Sequence, residues 1–369
     1  MKKEITNAAE VTDINESSGI YKFNMIKLLA ILLVITEDFI APFSGSSDML
    51  QSWSVFISAF SIPLIVFLTG LYYEQYQKGE KFRAYSFAFL IVVGFSLKLL
   101  VYGLSVLTGR ETSLNLFGGR GSEWLLFALA VYMLLTFLIK SFHRNVMLIL
   151  SVTLGLAIGF FPISDEFYLS KIVVFLPFFL LGYYLTPETV RSYSHKLNVK
   201  FASLGFMIIF FVMCFRQRDI LSPLRTLFIG RTPYEQTSIV GCSFYHRLIC
   251  YGISAVLIFA VLSCIPNRNV PFLTKLGEHG SGAYFWHEPV TVLLSYFGLF
   301  ELIQQLPDPI WKLVLLGAAV VLGLILSLPP FAYPLKALTK AMKRLSIKTD
   351  LIISGAVLLA AGAVQIFVL

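Results

Sequence analysis

Eleven stretches dominated by Leu, Ile, Val, Phe and Ala follow one another along the chain, at 24–43, 52–73, 85–107, 122–140, 146–163, 169–185, 200–216, 248–265, 283–300, 309–334 and 350–369. Each holds 17 to 26 residues, the length an α-helix uses to cross about 30 Å of hydrocarbon. Transmembrane β-strands are about half as long and alternate apolar with polar positions, a pattern that these stretches lack. The pattern predicts an all-α, polytopic integral membrane protein of about ten or eleven transmembrane helices, embedded in the plasma membrane. Pro162, Pro177 and Pro289 fall within the fifth, sixth and ninth stretches and predict short or broken helices there.

Composition agrees with the pattern. The 369 residues are 57% hydrophobic and 14% charged, with mean hydropathy +0.78; a soluble chain of this size needs more polar surface. The opening MKKEITNAAEVTDINESSGI is polar and predicts a disordered cytosolic tail over 1–20. The first apolar stretch exceeds the h-region of a cleavable signal and no small-residue cleavage site follows it.

Charge orients the chain. With the N-terminus in the cytosol, the segments on that side hold 18 Lys and Arg against 7 on the other, so the positive-inside rule predicts a cytosolic N-terminus and an external C-terminus. KALTKAMKRLSIKT, 336–349, is the strongest anchor. The net charge of +8 is spread over these loops, which argues against a nucleic-acid partner. Cys214, Cys242, Cys250 and Cys264 form no CxxC pair or metal spacing; free thiols are expected, with Cys242–Cys250 the one conceivable bridge.

The first stretch, NMIKLLAILLVITEDFIAPF, carries Glu37 and Asp38 ten and eleven residues beyond Lys27, about 15 to 17 Å along a helix. Lys27 can snorkel to the headgroups; short carboxylates at that depth need partners or a task. Adjacent helical residues point about 100° apart, which predicts a polar cavity for one acid and a neighbouring helix or interfacial water for the other. Lys98, inside the third stretch, is a candidate partner for either. Arg120, Glu123 and Trp124 open the fourth stretch at the outer interface. His287-Glu288-Pro289 sets an acid–base pair beside a helix breaker. The hydrophilic segment 216–247 carries five arginines and suits either an anionic or sugar-bearing substrate or phospholipid headgroups. No zincin helix, phosphate-binding glycine loop or GxSxG elbow is present, so no metal is expected. On these residues alone an acid–base enzyme and a transporter stand equal.

Several segments, in order from about 21 to 334, resemble the membrane-bound acyltransferase 3 family, in particular its fucose 4-O-acetylase-like and exopolysaccharide-modifying branch. FNMIKLLAILLVITEDF resembles that family's opening helix, FSIPLIVFLTGLYY its second, KGEKFRAY its basic loop, GSEWLLFALAVYML its Trp-Phe-Leu helix, and FLPFFLLGYYL its Phe-rich helix. LTKLGEHGSGAYFWHEPV, the most specific, resembles its late motif of Leu-Gly, a polar turn, Tyr and His. The resemblance implies an acyltransferase domain over 21–335, followed at 336–369 by a basic cytosolic loop and an extra transmembrane helix. It implies transfer of an acyl group, by default acetyl, from acyl-CoA to a hydroxyl of a cell-envelope or exported glycan. By position it implies coenzyme A contacts from Lys27, Lys78, Lys81 and Arg83. Acid–base work falls to Asp38, Glu37 and His287, and the carbohydrate to Trp124, Glu123, Arg120, Arg225 and Arg231. Three places depart from the family pattern: Asp38 stands where the family has a first-helix His, Ser61 where the branch often has another, and Lys78-Gly-Glu-Lys81 replaces an arginine-based spacing with lysines. The alternative that this leaves is a non-enzymatic exporter or accessory protein for polysaccharide or lipid-linked sugar.

Overall fold

The computed structural model describes residues 2–73, 82–163, 166–194, 196–266 and 268–368. Among them are no strands, and each apolar stretch contains a helix or a bent pair of helices. The principal helices are α1 (Lys2–Ile40), α2 (Asp48–Ser58), α3 (Ser61–Leu71), α4 (Ala84–Leu107), α5 (Trp124–Ile139), α6 (Arg144–Ala157), α7 (Leu169–Tyr184) and α8 (Leu197–Arg216). After them come α9 (Leu224–Ile229), α10 (Phe244–Cys264), α11 (Pro271–Glu278), α12 (Gly280–Tyr296), α13 (Ile310–Leu326), α14 (Pro329–Met342) and α15 (Ile347–Val368). Among the described residues five rods, rather than the ten or eleven expected, are long and apolar enough to cross a membrane, with α2 and α3 counted as one, and the bent pair α13–α14 makes a sixth. This is an all-α, polytopic membrane protein.

Prolines set where the rods bend. Pro63 lacks an N–H and its ring crowds the carbonyl four residues back, and α2 parts from α3 at Ala59–Phe60. Pro329 and Pro330 open α14, where a missing N–H costs nothing, and the axis turns by 48° there. Of the short or broken helices expected at Pro177 and Pro289, the structure shows short ones, of 16 and 17 residues, unbroken at the proline. Around Pro177 the neighbouring helices supply hydroxyls: Tyr132 donates to the Ile172 carbonyl and Tyr251 to that of Val174, at 2.7 and 2.8 Å. The carbonyl that Pro177 deprives of its helical donor is that of Val173, between these two.

α1 runs through the middle of the bundle, against α3, α11, α12 and α13. Its second half is the predicted first span, and the helix continues unbroken through the polar residues before it. α3 and α7 cross with their backbones in contact. A Cβ on Gly70 would overlap the Phe179 carbonyl, and one on Gly182 would overlap that of Phe67. Small residues at such crossings let helices approach within van der Waals range, the main attraction available in lipid. The outer faces are greasy: Leu107, Ile149, Ile209, Val321 and Ile352 are all exposed. α15 packs on α4, and Gln365 accepts the Leu116 N–H at 2.6 Å. All four cysteines are free.

Candidate active site

At the end of α1 that carries Glu37 and Asp38, a polar cavity of about 140 Å³ opens between α1, α3, α7, α9 and the segment before α5. Both acids line it. The sequence expectation of separate environments fails because the cavity wraps around the last turn of α1, although the partners do differ. Glu37 Oε1 accepts from Arg225 Nε at 3.0 Å, from Arg225 Nη2 at 2.6 Å and from Ser54 Oγ at 2.8 Å. Asp38 has a half-exposed side chain, and its Oδ2 lies 3.1 Å from Nε2 of the fully buried His287.

The His287 ring is fixed from its other side. Nδ1 lies 2.7 Å from the Tyr284 carbonyl oxygen. A carbonyl only accepts, so Nδ1 carries hydrogen, and the bond made by one ring nitrogen defines the role of the other. Nε2 and the Asp38 carboxylate therefore hold a proton between them, an imidazolium–carboxylate pair in its charged form. Asp38 Oδ1 makes no hydrogen bond among the described residues.

One turn of α12 organises the opposite wall. Tyr284 donates to the Ser122 carbonyl at 2.6 Å, and Glu288 Oε2 accepts the Ser122 N–H and hydroxyl at 2.8 and 2.6 Å. Glu288 is thus no partner of His287; it pins the segment that presents Arg120 and Ser122 to the cavity. The same segment is tied from behind by Lys98. Its ammonium donates to Glu123 Oε1 at 2.7 Å, to the Tyr168 hydroxyl at 2.5 Å and to the Gly118 carbonyl. Lys98 consequently pairs with neither Glu37 nor Asp38, because the 118–123 segment supplies a nearer acid.

The arginine-rich segment divides its labour. Arg225, on α9, and Arg231 line the cavity. Arg247 is fully buried, stacks 4.8 Å over the Tyr234 ring and donates to the carbonyls of Gly155 and Thr232, both at 3.2 Å. Burial raises the Tyr234 phenol above its ordinary range, which keeps it a hydrogen-bond donor to Leu156 O at 2.7 Å. Arg218 pairs with Asp48 and Asp219.

A second, apolar cavity of about 180 Å³ lies toward the other end of α1, lined by Lys27, Ile31, Leu68, Leu125 and Phe285 among others. Tyr284 lines both cavities. Lys27 Nζ sits 5.5 Å over the Phe23 ring. Arg83 reaches the Tyr85 hydroxyl at 3.5 Å and lines neither cavity. Lys78 and Lys81 lie outside the described residues.

Of the residues singled out from sequence, Asp38, Glu37, Arg120, Trp124, Arg225 and Arg231 meet at one cavity. His287 stands directly behind Asp38, while Glu123 is buried in its Lys98–Tyr168 cluster, away from the cavity wall. Sequence reasoning missed Lys171, Ser58 and Tyr284 at that cavity. Lys171, a lysine within the apolar run LSKIVVFL, was the visible signal; its Nζ lies 4.9 Å over the Trp124 ring. Among the described residues no group of three or more His, Cys, Asp or Glu could hold a metal. Comparison with family models, curated proteins and solved structures finds no match to this chain. Fold and site together define a helical membrane protein with a polar, acid- and base-lined cavity inside its bundle.

Proposed function

We propose that this protein is a membrane O-acyltransferase that moves an acyl group, by default acetyl, from acyl-CoA to a hydroxyl of a cell-envelope or exported glycan. The observation that carries the reading is the Asp38–His287 pair at the wall of a polar cavity, with an apolar cavity on the far side of Tyr284. The Lys27 end of α1 faces the cytosol in this reading, by the positive-inside asymmetry. The donor enters there, its acyl chain suited to the apolar cavity and its phosphates to nearby basic groups. The acceptor enters the polar cavity from the opposite side.

The residues have distinct tasks. Asp38 Oδ1 takes the proton of the acceptor hydroxyl as its oxygen attacks the thioester carbonyl carbon. Collapse of the tetrahedral adduct breaks the C–S bond, and the proton leaves with sulfur as coenzyme A thiol. His287 is a positioning residue: it aims the carboxylate and balances its charge, while Tyr284 in turn fixes the ring. The roles reverse those of a hydrolase triad, where an aspartate orients the histidine.

The test uses membranes carrying wild type, Asp38→Asn or His287→Gln at matched levels, with radiolabelled acetyl-CoA. Label enters envelope glycan with the wild type and is lost with Asp38→Asn, while the protein stays folded. His287→Gln lowers kcat with little change in the acceptor KM, as expected for a group that acts through Asp38. Undiminished transfer by Asp38→Asn removes the proposed base. No transfer by wild type to any of several acceptors leaves the export reading in its place.

A further inference from the structure

Both acids of the polar cavity commit only one carboxylate oxygen to the protein. Glu37 Oε1 accepts all three donors, two from Arg225 and one from Ser54, while the buried Oε2 accepts none. Asp38 Oδ2 meets His287, and Oδ1 makes no hydrogen bond among the described residues. Ser58, 4% exposed on the same cavity wall, has a buried hydroxyl with no partner. Six buried side-chain polar atoms lack a partner among the described residues, and Glu37 Oε2 and Ser58 Oγ are the two whose residues line this cavity. Buried polar atoms are almost always hydrogen-bonded, so two such atoms beside one cavity mark a place where a ligand completes the bonding. The charges are already matched: Glu37 holds Arg225, Asp38 faces His287, and Lys171 and Arg231 have partners too. The acids are short of hydrogen-bond donors, not of cations.

We infer that the acceptor is a neutral sugar ring with two free neighbouring hydroxyls, one given to Asp38 Oδ1 and the other to Glu37 Oε2. The cavity's volume of about 140 Å³ compares with the roughly 150 Å³ that accommodates benzene, so it receives a single six-membered ring. Residues 37 and 38 are consecutive, with Cα atoms about 3.8 Å apart, and one ring reaches both acids with hydroxyls set side by side on its edge. The Ser58 hydroxyl, which donates or accepts, meets a further oxygen of the same ring. The inference rests on the acyl-transfer reading for the word acceptor, but the binding it describes requires no acyl donor. Asp38 takes the proton of the reacting hydroxyl, whereas the neighbour held by Glu37 keeps its own. Glu37 therefore determines which hydroxyl is acylated, and Arg225 is a positioning residue that fixes Glu37.

The test is binding without donor, using purified full-length protein in phosphatidylcholine nanodiscs. Radiolabelled methyl glycosides of glucose, galactose and mannose are titrated, and the tightest is compared with its 2-, 3- and 4-deoxy analogues. Loss of either of two neighbouring hydroxyls weakens binding about tenfold or more, the scale of a hydrogen bond to a charged group. Glu37→Leu/Arg225→Met removes the ion pair as a unit, which leaves the fold near neutral, and abolishes the sensitivity to one hydroxyl while keeping the other. Ser58→Ala weakens binding a few-fold, yet Tm without sugar holds or rises, because an unpaired buried hydroxyl adds nothing to stability. Deoxy analogues that all bind like the parent overturn the inference, since water then serves the spare oxygens. So does tighter binding of the cationic 2-amino analogue, and so does binding of none of the three glycosides. A glycoside that binds as described but is never acylated upholds the site and removes the acyl-transfer reading, which the Asp38→Asn experiment tests separately.

Discussion

Replacing Lys98 with methionine tests whether the wall of the cavity is held from behind. The Lys98 and Glu123 side chains are only 12% and 3% exposed, and the ammonium gives hydrogen bonds to Glu123, Tyr168 and Gly118. Lys98→Met leaves the Glu123 carboxylate buried, with the Tyr168 hydroxyl at 2.6 Å as its remaining donor. Breaking a buried pair by deleting one partner costs about 3–5 kcal/mol, whereas removing both charges together is often near neutral. Tyr168 still solvates part of the charge, so we expect the lower end, about 3 kcal/mol. At the scale of a few degrees per kcal/mol or less for a chain of this size, Tm falls by roughly 5 °C. Lys98→Met/Glu123→Leu recovers at least half of that loss. Cys214 and Cys250 are buried free thiols, so a dye that fluoresces on reacting with thiols reports unfolding in detergent without an added label. A single variant within about 1 °C of wild type, or a double variant equal to the sum of the two singles, refutes the picture of a coupled buried pair.

Two further outcomes follow from packing and orientation. Gly182→Ala forces apart the α3–α7 crossing and costs about 1–3 kcal/mol, read as a lower Tm; Gly252→Ala, with open space around its Cβ position, holds or raises Tm because alanine favours helix. Val240 is 99% exposed in the segment between α9 and α10. Val240→Cys is therefore labelled in intact cells by a membrane-impermeant maleimide, beyond the parent's background, while Leu345→Cys reacts only after lysis; the reverse pattern inverts the orientation.

The helices were legible because lipid imposes one period and one length. All eleven apolar runs hold helix. Among the described residues, however, five helices, or six with the bent pair α13–α14, are long and apolar enough to cross a membrane, rather than the ten or eleven expected. The bend at Pro329 falls inside what reads in the sequence as one stretch, 309–334. Contacts were less legible. Glu37 and Asp38 announced themselves by their cost, and Arg225 by its place in an unusual loop, yet nothing in the sequence says that residues 188 positions apart form a pair. Lys98 reads as a buried cation, but its acid is Glu123 rather than Glu37 or Asp38, because pairing depends on how the 109–123 segment folds back. His287-Glu288 looked like a local acid–base pair. On a helix adjacent side chains diverge, so each found a separate partner, Asp38 for one and Ser122 for the other. Lys171 sits near the start of α7, where a lysine reads as one that snorkels to the headgroups, so its place at the cavity is not visible in the sequence.

The glycine crossing between α3 and α7 has a mechanical consequence. Gly70 and Gly182 meet at the far end from the cavity, whereas Ser61 and Lys171 line its mouth on the same two helices. Nine residues separate Gly70 from Ser61 and eleven separate Lys171 from Gly182, lever arms of roughly 14 and 17 Å at 1.5 Å per residue. With backbone pressed on backbone at one end, a rotation about that crossing is the motion that preserves the contact. A rotation of about 10° on arms of that length opens the mouth by roughly 2–3 Å, close to the width of one hydroxyl. A rotation of that size leaves in place the glycine contact that holds the two helices together.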